Sequence, residues 1–135
     1  MKGRVKIIAA ALFLILGGVR SVSSAAEADQ GRMYFLRYCG SCHGVEGKGD
    51  GTVSRSLKVK PADLTQLKKK NNGVFPLEKV MATINGKTRV EAHGESEVPV
   101  WGEIFVKEAS VQKDPAGTSS AKIKALAEYI ETIQR

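Results

Sequence analysis

Cys39-Gly40-Ser41-Cys42-His43 constrains this chain more tightly than any other segment. It has the form Cys-x-x-Cys-His, the pattern for covalent attachment of a c-type haem. The spacing has a chemical reason. Two thiols three residues apart on a helical turn can each add to one of the two vinyl groups on one edge of a porphyrin. The histidine that follows reaches under the ring and offers an imidazole nitrogen to the iron. The chain has no other cysteine, and His43 is one of only two histidines. Paired cysteines also serve as a redox dithiol, a structural disulfide or half of a zinc site. Zinc needs four ligands in a suitable pattern, and no second Cys/His pair exists. A thioredoxin-like dithiol belongs to a βαβ setting, and no run of strand-like segments is visible.

The N-terminus reads as a secretory signal. Lys2, Arg4 and Lys6 form a charged start, and Ile7 to Val19 is an uncharged apolar run of about thirteen residues, too short to span a bilayer comfortably. Ser21 to Ala26 is small and polar, so cleavage after Ala25 or Ala26 fits the small-x-small rule. The expected organisation is therefore a signal peptide over 1–26 and one domain over 27–135, delivered to the periplasm, where haem is attached to such motifs. The alternative is an uncleaved membrane anchor. The short apolar run and Arg20 argue against it.

Without the first 26 residues the chain holds 17 basic and 14 acidic residues, a net of +3 rather than +7. Nucleic-acid binding is not indicated. The distribution is more informative. Gly31 to Lys70 holds nine basic residues and three acidic ones, whereas Asn71 to Arg135 holds eight and nine. The half that carries the haem motif is locally basic, which can steer an acidic partner towards it. A merely solvated surface is the other account of the same charges.

Short helices and loops organise the rest. Asp29 is the expected N-cap of a helix from Gln30 to about Cys39, with Phe35, Leu36 and Cys39 on one side. Gly44 to Lys60 is glycine-rich loop. Asp63 can cap a short helix that stops at Asn71-Asn72-Gly73. After Pro76, residues Leu77, Val80, Met81 and Ile84 repeat at helical spacing up to Asn85-Gly86. Gly86 to Pro99 is a polar loop, and Pro99 to Lys107 can hold another helical turn or two. Asp114 to Gly117 is read as turn, with Thr118 or Ser119 capping the last helix. There Ile123, Leu126, Ala127, Ile130 and Ile133 form one apolar stripe. The fold class is all-α, a single small domain of about four or five short helices.

On these residues the chain resembles the class I c-type cytochromes of bacterial type. Gly31, Phe35 and Cys39 fall at four-residue steps, as in the N-terminal helix of that family, and Leu126, Tyr129 and Ile130 resemble its C-terminal helix. Lys60-Pro61-Ala62-Asp63-Leu64-Thr65 resembles the segment after the attachment loop. The resemblance runs from about Asp29 to Gln134. It implies a cytochrome c-like domain wrapped around one covalent haem c, with its terminal helices crossing. Cys39 and Cys42 would then be the thioether anchors and His43 the proximal iron ligand. A backbone carbonyl of Pro61 or Ala62 would accept the free N–H of His43.

One departure concerns the second axial ligand. The family usually supplies methionine in a loop reading Met-Pro-x-Trp, whereas this chain reads Val98-Pro99-Val100-Trp101-Gly102. Valine cannot bind iron, and loss of a thioether lowers the haem potential or leaves a coordination site open. His93, Met81 and Lys87 are candidate replacements. A water ligand or an open distal site is the further possibility. His93 also reads as a structural or surface residue, Met81 as core on its apolar stripe, Met33 as core or surface, and Trp101 as a side chain packed near the haem.

The resemblance implies a periplasmic electron carrier, expected to be monomeric and to meet redox partners that have an acidic docking face. No catalytic side chain is required. A haem protein with an open sixth site that binds a small ligand, or acts on peroxide or nitric oxide, is the alternative that Val98 motivates. Docking on a membrane-bound oxidase or reductase is a third arrangement. So short a chain has a thin core, and a haem would supply hydrophobic bulk. The haem-free mature chain is therefore expected to be poorly ordered, as small metal-dependent domains are. Circular dichroism of a haem-free preparation checks this.

Overall fold

The computed structural model describes residues 21–88 and 100–135. His93 and Val98, with Arg89 and Pro99, lie outside the described residues. Among those described, every regular element is helical. The helices are α1 (Ser21–Tyr38), α2 (Gly40–His43), α3 (Leu67–Lys70), α4 (Leu77–Ile84), α5 (Trp101–Glu108) and α6 (Pro115–Thr132). Tight 3-10 turns occupy Ser54–Ser56 and Leu64–Gln66. None of the described helices is long and apolar enough to cross a membrane.

α6 carries the expected apolar stripe except for Ile133, which falls just past its end and is only partly buried. Ile123, Leu126, Ala127 and Ile130 are all buried, and they repeat at the spacing that keeps one helix face inward. The start of α6 differs from the expected turn. Asp114 caps it, accepting the Gly117 N–H on Oδ1 at 2.9 Å, and Pro115 is the first helical residue. An acceptor side chain followed by proline is a strong helix start, because proline lacks only a donor that the first turn would leave unused. Gly117 therefore lies inside the helix. Thr118 turns its hydroxyl back to Asp114 O at 2.8 Å instead of capping, and Ser119 is buried with its hydroxyl directed to Gly102 O.

α1 also begins earlier than expected. It runs from Ser21, so Asp29 is an interior residue and not the cap. Ala25, Ala26, Glu27 and Ala28 favour helix, and no Gly or Pro interrupts them. The short helix after Asp63 forms as expected. Asp63 Oδ1 accepts from Thr65 N at 2.9 Å, and the segment ends in Asn72 and Gly73, both at positive φ. α4 stops at Asn85 and Gly86, as its sequence predicts.

The core is built where α1 and α6 meet. Phe35 and Leu126 are fully buried there, and Phe35 packs on Tyr129 with ring centroids 5.3 Å apart. Gly31 permits the approach. A Cβ at this position would collide with Ala125 O and lie 2.9 Å from the Tyr129 Cβ. The first of these is backbone, which cannot swing aside. α5 then closes the core with Phe105, which is fully buried, and α4 adds Val80. Gly31→Val is expected to cost about 1–3 kcal/mol through overpacking. Met33→Ala, at an exposed position close by on the same helix, should stay within about 0.5 kcal/mol. Urea denaturation of both variants checks the contrast.

Candidate functional site

The motif sits where α1 hands over to α2. Cys39 N–H still donates to Phe35 O at 2.8 Å, so the helical path barely breaks at Cys39. Cys42 and His43 both return their N–H groups to Cys39 O, at 3.2 and 2.9 Å. One turn thus carries both thiols and the imidazole. The carbonyls that end this turn would otherwise lack partners. The glycine-rich loop supplies them: Gly49 N–H donates to His43 O at 2.7 Å, Gly51 to Cys42 O at 3.1 Å and Val53 to Ser41 O at 3.1 Å.

The same loop brings in the other side of the site. Gly49 has φ +77°, and a Cβ there would collide with Pro61 O. This close passage lets Pro61-Ala62 run beside the motif. His43 Nδ1 donates to Ala62 O at 2.9 Å. A carbonyl oxygen only accepts, so the proton is on Nδ1 and the basic lone pair of the ring is on Nε2. Of the two carbonyls open on sequence grounds, Ala62 is the one that holds His43.

The chain after Ala62 is pinned in turn. Asp63 Oδ1 accepts from the Thr65 hydroxyl at 2.6 Å as well as from its N–H. These bonds, the hydroxyl's first, hold the Asp63 carboxyl below the usual carboxylate range. Gln134, just past α6, donates to Leu64 O at 2.7 Å and accepts from Lys68 N at 2.8 Å. Arg135 N–H donates to Thr65 O at 2.9 Å. Nothing in the sequence pattern singles out Gln134, because its partners lie some seventy residues away.

Cys39 and Cys42 are free thiols, each partly buried. Burial, with Cys42 beside it, pushes the Cys39 thiol up to about 12. A disulfide-exchange site needs the opposite, a thiol whose pKa is lowered so that the nucleophilic thiolate forms. Among the described residues no three His, Cys, Asp or Glu side chains gather to hold a metal ion.

Many large apolar side chains are only half-covered. Leu36, Leu64, Leu67, Leu77, Met81, Ile84 and Ile104 all pack against the core without entering it. Met81 belongs to this layer, Met33 is exposed, and Lys87 lies on the surface beside Val100.

Trp101 joins an aromatic cluster that the sequence does not announce. Its ring stacks on Phe105 at 5.9 Å and meets Tyr38 edge-on at 5.5 Å. Tyr38 donates to Glu108 Oε2 at 2.8 Å, and Lys122 Nζ bonds the same oxygen at 2.9 Å while lying over the Tyr34, Tyr38 and Phe105 rings. Burial alone would lower Lys122, but its bonds to Glu108 and Tyr38 outweigh that and raise it. The Glu108 carboxyl is correspondingly held low, chiefly by Lys122.

No protein-family model matches the chain, and neither any curated protein nor any solved structure matches it.

Gly49→Ala should disturb the site from outside. The positive φ alone costs about 1–2 kcal/mol, and the new methyl must displace Pro61, hence the Ala62 carbonyl. The His43 Nδ1–H resonance is expected to move and to exchange faster with solvent, which proton NMR of the two proteins checks.

Proposed function

We propose that this chain is a c-type cytochrome, a periplasmic electron carrier that holds one haem through Cys39 and Cys42, with His43 as proximal iron ligand. One observation carries the reading. Two free thiols and an imidazole share a single turn, and the imidazole is oriented by the Ala62 carbonyl so that Nε2 keeps the ligand lone pair. One imidazole and two thiols are one ligand short of a closed structural zinc site. They are what a porphyrin leaves to the protein, because it brings four nitrogens of its own. The half-covered apolar layer offers the kind of surface a flat, greasy group would cover. Each free-standing part of the site therefore fits haem c.

The haem would supply a reversible one-electron Fe(III)/Fe(II) couple. The residues would do the rest. Cys39 and Cys42 would fix the porphyrin by two thioether bonds. Ala62 O would stop the His43 ring from rotating and, by accepting the Nδ1 proton, make Nε2 a stronger donor. The leucines with Ile84 and Ile104 would exclude water, which keeps the surroundings similar in both oxidation states. Lys58, Lys60, Lys68, Lys69 and Lys70 are exposed on the segment that includes Ala62. They would steer an acidic face of a redox partner, either a soluble protein or a membrane-bound oxidase or reductase. Such steering weakens as salt rises.

Val98 in the Val-Pro-Val-Trp loop supports a second reading, in which the sixth position is open and a small ligand binds there. The visible spectrum of the ferrous protein, before and after carbon monoxide, tests both. A sharp low-spin spectrum unchanged by the gas is expected for a carrier whose sixth position is filled by a side chain, and His93→Ala would then ask which one. A high-spin spectrum that shifts with carbon monoxide would favour ligand binding. A protein with no Soret band, or one whose colour extracts into acidified organic solvent, would overturn covalent haem attachment.

A further inference from the structure

The aromatic cluster behind the motif has a chemical arrangement that electron carrying at the haem does not need. We propose that Tyr38 is a redox-active tyrosine, which passes oxidising equivalents away from the redox centre to the surface and gives its phenolic proton to Glu108. The inference rests on the haem reading, and within it on an open sixth position, for the source of the oxidising equivalent.

Tyr38 is placed for both halves of that task. It precedes Cys39 directly in the chain, so it lies one residue from a thiol proposed to carry the porphyrin. Its ring is in edge contact with Trp101 at 5.5 Å and with Phe105 at 4.9 Å, and it reaches Tyr34 at 6.3 Å. Over such spacings an electron moves between aromatic rings in short steps. Its hydroxyl donates to Glu108 Oε2 at 2.8 Å, within the range for direct proton transfer. Lys122 Nζ lies 2.9 Å from that oxygen and 3.5 Å from the phenol oxygen. The charged groups facing the phenol are therefore Glu108, Lys122 and Arg37, whose guanidinium lies 5.3 Å from the ring centre. A network of this kind holds donor and acceptor in one geometry.

In this step the Tyr38 O–H bond breaks, an O–H bond forms on Glu108, and one electron leaves the ring. The products are a neutral phenoxyl and a neutral carboxylic acid. An oxidised phenol is so strong an acid that even a carboxylate held low by Lys122 takes its proton. The oxidant would be hydrogen peroxide, reduced at the haem that Cys39, Cys42 and His43 would hold. The phenoxyl is reset by an external one-electron donor of the quinol or ascorbate class, while Glu108 returns the proton. Two such turns, with two protons from water, convert one molecule of hydrogen peroxide to two of water. Lys122 is a positioning residue: it fixes the carboxylate and can donate to the phenoxyl oxygen.

Freeze-quenched electron paramagnetic resonance of the ferric holoprotein mixed with hydrogen peroxide tests the proposal. A neutral tyrosyl signal is expected. Tyr38→Phe, which keeps the ring packing, should abolish it, Tyr34→Phe should retain it, and Glu108→Gln should lower its yield severalfold. A signal of unchanged yield in Tyr38→Phe, or no tyrosyl signal in the parent protein, would overturn the relay. If the protein carries no covalent haem, the functional reading fails and the relay is still tested. Photogenerated ruthenium(III) tris-bipyridine then serves as the one-electron oxidant on the same variants. Loss of the tyrosyl signal in Tyr38→Phe alone again supports the relay, and its persistence there again overturns it.

Discussion

The close approach of α1 to α6 at Gly31 is the constraint on which the other features hang. It is a steric condition, since a methyl group there would overlap the Ala125 carbonyl. With the approach made, Phe35 can reach Tyr129 and Leu126 can become fully buried. Both halves of the candidate site are then carried by the same helix pair. The C-terminal end of α1 delivers Cys39 into the turn with Cys42 and His43. The residues just past α6 deliver Gln134 and Arg135 to the segment that follows Ala62. The bond between His43 and Ala62 has ordinary length, and both of its ends are tied, at one remove, to one packing contact.

The glycine-rich loop completes this arrangement by backbone alone. Its N–H groups satisfy the carbonyls that end α2, and its positive-φ positions let it pass against Pro61. Side chains contribute little here. The loop turns a four-residue helix, which would not persist by itself, into a fixed platform for three chemically useful side chains. Among the described residues, a layer of large apolar side chains packs against the core while staying half-covered.

The Tyr38–Glu108–Lys122 group joins α1, α5 and α6. Its cation rests on three rings and is neutralised by one carboxylate. Contacts between a cation and an aromatic face contribute about 0.5–1 kcal/mol each at accessible sites, so the group helps to hold the helices in register. It also gives the Tyr38 phenol a fixed acceptor in Glu108.

Sequence alone determined whatever depends on neighbours within a few residues. The Cys39 to His43 motif, the apolar stripe of α6, the stops at Gly73 and Gly86 and the all-α class are local patterns with local causes. Even the value of Gly31 was legible, because a glycine at core spacing in a helix needs a reason. Local reading failed where two local signals competed. Asp114-Pro115 reads as a turn or as a helix start, and Asp29 as a cap or as an interior residue, until the flanking helix is known. Tertiary structure decided the rest. It selected Ala62 over Pro61, brought Gln134 to Leu64 and Lys68, and assembled Tyr38 with Glu108 and Lys122. These pairings span up to 84 residues of sequence. No periodicity encodes them, because they arise only after the packing of α1 on α6 has set which distant side chains share a volume.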